Sequence, residues 1–128
     1  MTQQSSPQNF SEKRRDLRYG VTGMPNATLQ SSTGEEIIFF FVDASKHGLG
    51  IVVDTPIKTG EIVHLIIDDS SQHTIILEVR WITFVDLLTA PTGLNSTLYR
   101  CGLQATNSHL DLVSILSQCR NVSLEALV

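Results

Sequence analysis

The chain has 128 residues and a mass of 14.1 kDa, which is the size of one ordinary domain. Hydrophobic residues make up 41% of the sequence and charged residues 17%, so the composition favours a folded core and excludes a wholly disordered chain. Thirteen acidic residues against nine Lys and Arg give a net charge of -4, which argues against a general nucleic-acid binder.

The chain ends and the cysteines favour a cytoplasmic protein. No apolar stretch reaches the length of about 18 residues that a membrane span needs. Residues 1–11 are polar and lack the apolar run of a secretory signal. Cys101 and Cys119 have neither the spacing nor the histidine neighbours of a metal site, and we interpret them as reduced thiols. We therefore expect no membrane span, no metal and no cofactor.

In chain order, a polar tail (residues 1–11) precedes a basic segment, the arginine arm (residues 12–20). Four of the nine Lys and Arg residues lie between positions 13 and 18, and the glycines and proline that follow disfavour a helix. Apolar stretches separated by turn signals then predict strands at 26–30, 35–42, 49–53, 62–67, 74–85 and 97–104. Alternation in the longest stretch places Ile75, Leu77, Val79 and Trp81 on one side.

After residue 106 the hydrophobic period changes from that of a strand to that of a helix. Leu112, Ile115, Leu116, Cys119 and Val122 fall on one helical face, with Asn107 or Ser108 as the N-cap. The pattern predicts an antiparallel barrel or sandwich over residues 21–106, covered by an amphipathic helix over residues 107–127.

Two polar segments stand out against this apolar framework. The first is Arg14-Arg15-Asp16-Leu17-Arg18, and the second is the loop from Asp43 to Gly48 between two very hydrophobic strands. Taken alone, the first could be a solvated charged face and the second an ordinary hairpin turn. Together they have the forms RxxxR and DxSxxG, about 25 residues apart in the chain.

This ordered pair of motifs resembles the PilZ family, whose members are bacterial receptors for cyclic di-GMP. The resemblance covers residues from about 12 to 120 and includes weaker marks such as Val79-Arg80-Trp81 and Gly102-Leu103-Gln104. It implies an all-β fold, a six-stranded antiparallel β-barrel with a C-terminal α-helix, formed as a single domain over residues 12–128.

The resemblance also implies a ligand site for cyclic di-GMP. Arg14 and Arg18 would hold phosphate and guanine, since a guanidinium both pairs with phosphate and stacks on a purine. Asp43 would accept from the guanine N1–H and N2–H₂ edge, Ser45 would offer a hydroxyl, and Gly48 would let the backbone approach. Accessory positions are Lys13, Arg15 and Lys46.

We therefore expect a cyclic di-GMP receptor that orders its arginine arm over the ligand and signals to a downstream protein. The alternative is a ligand-independent PilZ-like protein–protein adaptor. An enzyme is not expected, because the four histidines are scattered and Asp43, Ser45 and His47 are too close in sequence for a catalytic relay. A nucleic-acid polymer is not expected either, since such a binder needs aromatic platforms on a basic groove. Here Phe39, Phe40 and Phe41 are consecutive, so at least one faces the core, and the chain is acidic.

Overall fold

A computed structural model describes residues 17–69, 71–85 and 97–127, which form one curled antiparallel sheet and one short helix. The strand order across the sheet is β3-β2-β6-β7-β8-β5-β4-β1-β9. In chain order the elements are β1 (Tyr19–Gly23), β2 (Ala27–Gln30), β3 (Glu36–Ile37), β4 (Phe39–Ala44), β5 (Gly48–Val53), β6 (Ile62–Asp68), β7 (Gln72–Val85), β8 (Leu98–Ala105), α1 (Leu112–Ser117) and β9 (Val122–Ala126).

The core lies on the concave face of the sheet, because alternate residues of each central strand are apolar and buried. In β5, for example, Leu49, Ile51 and Val53 are buried and point to this face. Leu112 and Leu116 of α1 join the same core. Each fully buried side chain of this size stabilises the fold by about 1.5–3 kcal/mol relative to an exposed one.

The expected all-β architecture is confirmed at the level of a β-rich chain with one helix, but the closed six-stranded barrel is wrong. The sheet has nine strands and forms a half-barrel, with β3 and β9 as its two edges. One strand that the sequence analysis did not predict, β1, begins inside the predicted arginine arm. The glycines disfavoured a helix there, and the segment is instead a strand: Val21 is buried and β1 pairs with both β4 and β9.

The predicted helix over residues 107–127 is much shorter in the structure. It spans Leu112–Ser117, is capped by Asp111 rather than by Asn107 or Ser108, and is followed by β9. Asn121 has a φ of 62°, a left-handed conformation that an α-helix cannot contain, and Val122 then begins the strand. None of the helices in the described ranges has the length and hydrophobicity to cross a bilayer.

Candidate functional site

Four residues on four neighbouring strands form one row across the convex face of the sheet. Asp43 of β4 is paired in register with Gly50 of β5, Gly50 with Gly102 of β8, and Gly102 with Trp81 of β7. The Asp43 carboxylate lies over Gly50, and the Trp81 indole lies over Gly102. The two glycines thus provide the flat surface on which the polar and the aromatic side chain rest.

Two β-bulges put Asp43 and Trp81 on this face. The β4–β5 register shifts between Phe41 and Asp43, and the β7–β8 register shifts between Val79 and Trp81. Because side chains alternate along a strand, one extra residue moves every following side chain to the opposite face. The sequence prediction that Trp81 shares a side with Val79 is therefore wrong: Val79 is fully buried, whereas Trp81 is 43% exposed.

Asp43 joins two arginines that are distant in sequence. Its Oδ1 accepts from Nη2 of Arg18 at 3.0 Å, and its Oδ2 accepts from Nη2 of Arg100 at 3.1 Å. The Asp43 side chain is 11% exposed, while Arg18 and Arg100 keep 49% and 38% of their side-chain surface. Charge-assisted bonds of this kind, partly shielded from water, fix the carboxylate and both guanidinium groups in place.

The segment from Asp43 to Gly48 is a tight turn that closes on itself. The Ser45 amide donates to the Gly48 carbonyl at 2.9 Å, and the Gly48 amide donates to Ser45 Oγ at 3.0 Å. A Cβ on Gly48 would lie only 3.0 Å from Ser45 Oγ, so a side chain there would crowd the hydroxyl. The turn is also anchored to the rest of the fold, because the Leu112 amide donates to the Lys46 carbonyl at 2.8 Å.

A cleft of about 420 Å³ opens beside this turn. It is bounded on one side by Arg18 and the turn, and on the other by the β7 bulge. None of the described residues that line it is acidic. Its lining residues are Arg18, Ser45, His47, Gly48, Leu49, Arg80, Trp81, Gly102, Leu103 and Gln104.

The structure brings together four of the five predicted ligand residues. Arg18, Ser45 and Gly48 line the cleft, and Asp43 pairs with Arg18 at its border. Arg14, together with the accessory positions Lys13 and Arg15, lies outside the described residues. Lys46 is exposed but does not line the cleft.

Both oxygens of Asp43 already accept from arginines, which bears on its predicted contact with a guanine edge. The geometry supports a positioning role for Asp43, because its carboxylate holds Arg18 and Arg100 in place. Each oxygen keeps a further lone pair that could accept a hydrogen bond from a base.

Sequence reasoning missed Arg80, Trp81, Arg100 and Gln104 as residues of this region. Trp81 was placed on the same side as Val79 because the bulge at Arg80 cannot be seen in a simple alternation pattern. In the structure the alternation of buried residues in β7 stops after Val79, and the next two residues, Arg80 and Trp81, are both exposed.

A second cleft, of about 340 Å³, lies around the β2–β3 turn and is lined by Glu35, Glu36 and Glu61 among others. Three carboxylates would repel an anionic ligand, so the two clefts differ in the sign of the charge they present.

No protein-family model, curated protein or solved structure matches this chain.

Proposed function

We propose that this protein is a receptor for cyclic di-GMP that orders the N-terminal part of its arginine arm over the ligand and signals to a partner protein. The observation that carries the proposal is the ion pair between Arg18 and Asp43, one residue from each motif, at the border of a cleft. The two motifs are 25 residues apart in sequence, so their meeting is a property of the fold.

The charge around the cleft suits a ligand with two phosphodiester anions. Arg18 and Arg80 line the cleft, Arg100 pairs with Asp43 at its border, and none of the described lining residues is acidic, in a chain whose net charge is -4. A locally positive cleft in an acidic protein attracts a small anion without attracting nucleic-acid polymers in general.

Three residues that line the cleft have distinct tasks in this proposal. Arg18 donates one hydrogen bond from Nη2 to Asp43, and its other N–H groups can bind a phosphate oxygen. Ser45 Oγ accepts from the Gly48 amide, so its hydroxyl proton is available for a ligand oxygen. Trp81 offers an exposed aromatic surface on which a guanine can stack.

The ion pair between Asp43 and Arg18 lowers the entropic cost of binding a ligand. Micromolar affinity requires about 8 kcal/mol, and ordering one residue costs about 1–2 kcal/mol. An arginine that is already fixed by a charge-assisted bond loses less freedom when the ligand arrives. Closure of residues 12–18 then adds the contacts of Arg14, and amide exchange over this segment is expected to slow on addition of ligand.

Isothermal titration calorimetry with cyclic di-GMP tests the proposal. We expect binding by the wild type, and a loss of about tenfold or more in Arg14→Ala, Arg18→Ala and Asp43→Ala, since each removes at least one charge-assisted contact or its support. Arg120→Ala is the matched control, because Arg120 is exposed and does not line the cleft. Absence of heat with the wild-type protein would refute the receptor function.

A ligand-independent adaptor is the second candidate, favoured by large apolar side chains on the surface. Ile38 is 62% exposed and Phe40 is 57% exposed, close together at the start of β4. If cyclic di-GMP does not bind while Phe40→Ser abolishes association with a cellular partner, the adaptor replaces the receptor as the function.

A further inference from the structure

The bulge in β7 presents two consecutive side chains to the same cleft. In a regular strand Arg80 and Trp81 would point to opposite faces of the sheet. Here both are exposed and both line the cleft, because Arg80 is the extra residue between the pairs Val79–Leu103 and Trp81–Gly102. Bulges of this kind re-aim side chains, and they are over-represented beside functional sites.

Arg80 differs from the other two arginines of the region in its partners. Arg18 and Arg100 both donate to Asp43. Within residues 17–69, 71–85 and 97–127, the Arg80 side chain makes no hydrogen bond and no ion pair. Arg80 thus lines the cleft with a guanidinium whose donors are not committed to another described residue.

We propose that Arg80 determines base specificity, reading the O6 and N7 edge of a guanine that stacks on Trp81. This inference rests on the proposed function and assigns the base-reading role to a residue outside both sequence motifs. The Trp81 ring lies over Gly102, so a base on its exposed face has its edge beside the neighbouring residue of the bulge.

The chemistry of the two purines explains why an arginine at this position would discriminate. Guanine presents two acceptors, O6 and N7, which match the paired donors of a guanidinium. Adenine presents a donor, the N6 amino group, in place of O6, so the second bond is replaced by a donor–donor contact. Asp43, whose two oxygens already accept from Arg18 and Arg100, then acts as a positioning residue for those two guanidinium groups.

The fluorescence of Trp81, the chain's single tryptophan, provides a direct measurement at the site. We would titrate the full-length wild type, Arg80→Lys and Arg80→Gln with cyclic di-GMP and with cyclic di-AMP, using Arg120→Lys as the control. Both Arg80 variants are expected to weaken cyclic di-GMP binding by about 5- to 150-fold, the value of one bidentate base contact. Cyclic di-AMP binding should change by no more than about twofold.

Arg80→Lys is the decisive variant because it keeps the charge and removes the planar fork. Equal losses for both dinucleotides would show that Arg80 holds a phosphate, and unchanged cyclic di-GMP binding in Arg80→Lys would show that only its charge matters. Either result overturns the base-reading role while leaving the receptor function intact. If the wild type binds neither dinucleotide, the proposed function fails and this inference fails with it.

Discussion

The Asp43 carboxylate occupies the space over Gly50 that a Cβ on that residue would need. The two residues are register partners on β4 and β5, and the bulge before Asp43 turns its side chain to the convex face. Gly50 therefore decides whether Asp43 can reach both Arg18 and Arg100. A substitution at Gly50, which does not line the cleft, is therefore expected to disturb the whole arginine cluster.

Gly50→Ala should destabilise the protein by about 1–3 kcal/mol, because the added methyl group displaces the carboxylate from its two charged partners. Chemical denaturation measures this difference in the free energy of unfolding. Gly20→Ala is the control: its Cβ would lie 3.5 Å from Leu127 Cδ2, an ordinary contact, and its change should stay within about 0.5 kcal/mol. Equal effects of the two substitutions would contradict the role given to Gly50.

Gly102→Ala should move the Trp81 ring, since a Cβ on Gly102 would coincide with the indole. Trp81 is already 43% exposed and can rotate outward, so we expect a folded protein whose tryptophan emission shifts to longer wavelength. Steady-state fluorescence of the variant against wild type and Gly20→Ala measures the shift. An unchanged spectrum would mean that the ring does not rest on Gly102 in solution.

The regular parts of the fold could be predicted from the sequence because hydrophobic alternation determines which face of a strand is buried. Val63, Leu65 and Ile67 of β6 illustrate this, and each is buried in the structure. The two bulges could not be predicted, since one extra residue leaves almost no trace in composition. For that reason Arg18 and Asp43 were predicted from their motifs, whereas Trp81 was assigned to the wrong face.

The C-terminal region shows a second limit of periodicity. Leu112, Ile115 and Leu116 fit a helix and are buried on one, but Val122 fits both a helical and a strand period. The strand prevails because β9 forms five register pairs with β1, a long-range contact that no local pattern contains. Of the helix predicted over residues 107–127, only Leu112–Ser117 is helical.

Asp111→Ala tests the short helix that supports the DxSxxG turn. Asp111 Oδ1 accepts from the Ser114 amide at 3.1 Å and caps α1, whose first residue bonds to the Lys46 carbonyl. Loss of such an N-cap costs about 1 kcal/mol, measured as a lower midpoint in urea unfolding. Ser114→Ala keeps the backbone amide and should unfold at nearly the wild-type midpoint. A midpoint for Asp111→Ala equal to that of Ser114→Ala would exclude the capping role.

Cys101 should make the protein less stable in alkaline solution. It is fully buried in the core, and burial raises the pKa of its thiol from 9.0 to about 11. Between these two values the unfolded chain has lost the proton while the folded chain keeps it, so stability is unaffected below about pH 9 and falls as the pH rises toward about 11. The full decrease in the free energy of unfolding is about 2–3 kcal/mol, since each unit of pKa difference is worth about 1.4 kcal/mol.

Urea unfolding at about pH 8 and about pH 10 measures this loss of stability. The decrease should be smaller in Cys101→Ala than in the wild type, because the variant has no thiol at position 101 to ionise. The control Cys119→Ala keeps the buried Cys101 thiol and should retain most of the wild-type decrease. Identical decreases in the wild type and in Cys101→Ala would show that other groups cause the loss of stability in alkaline solution.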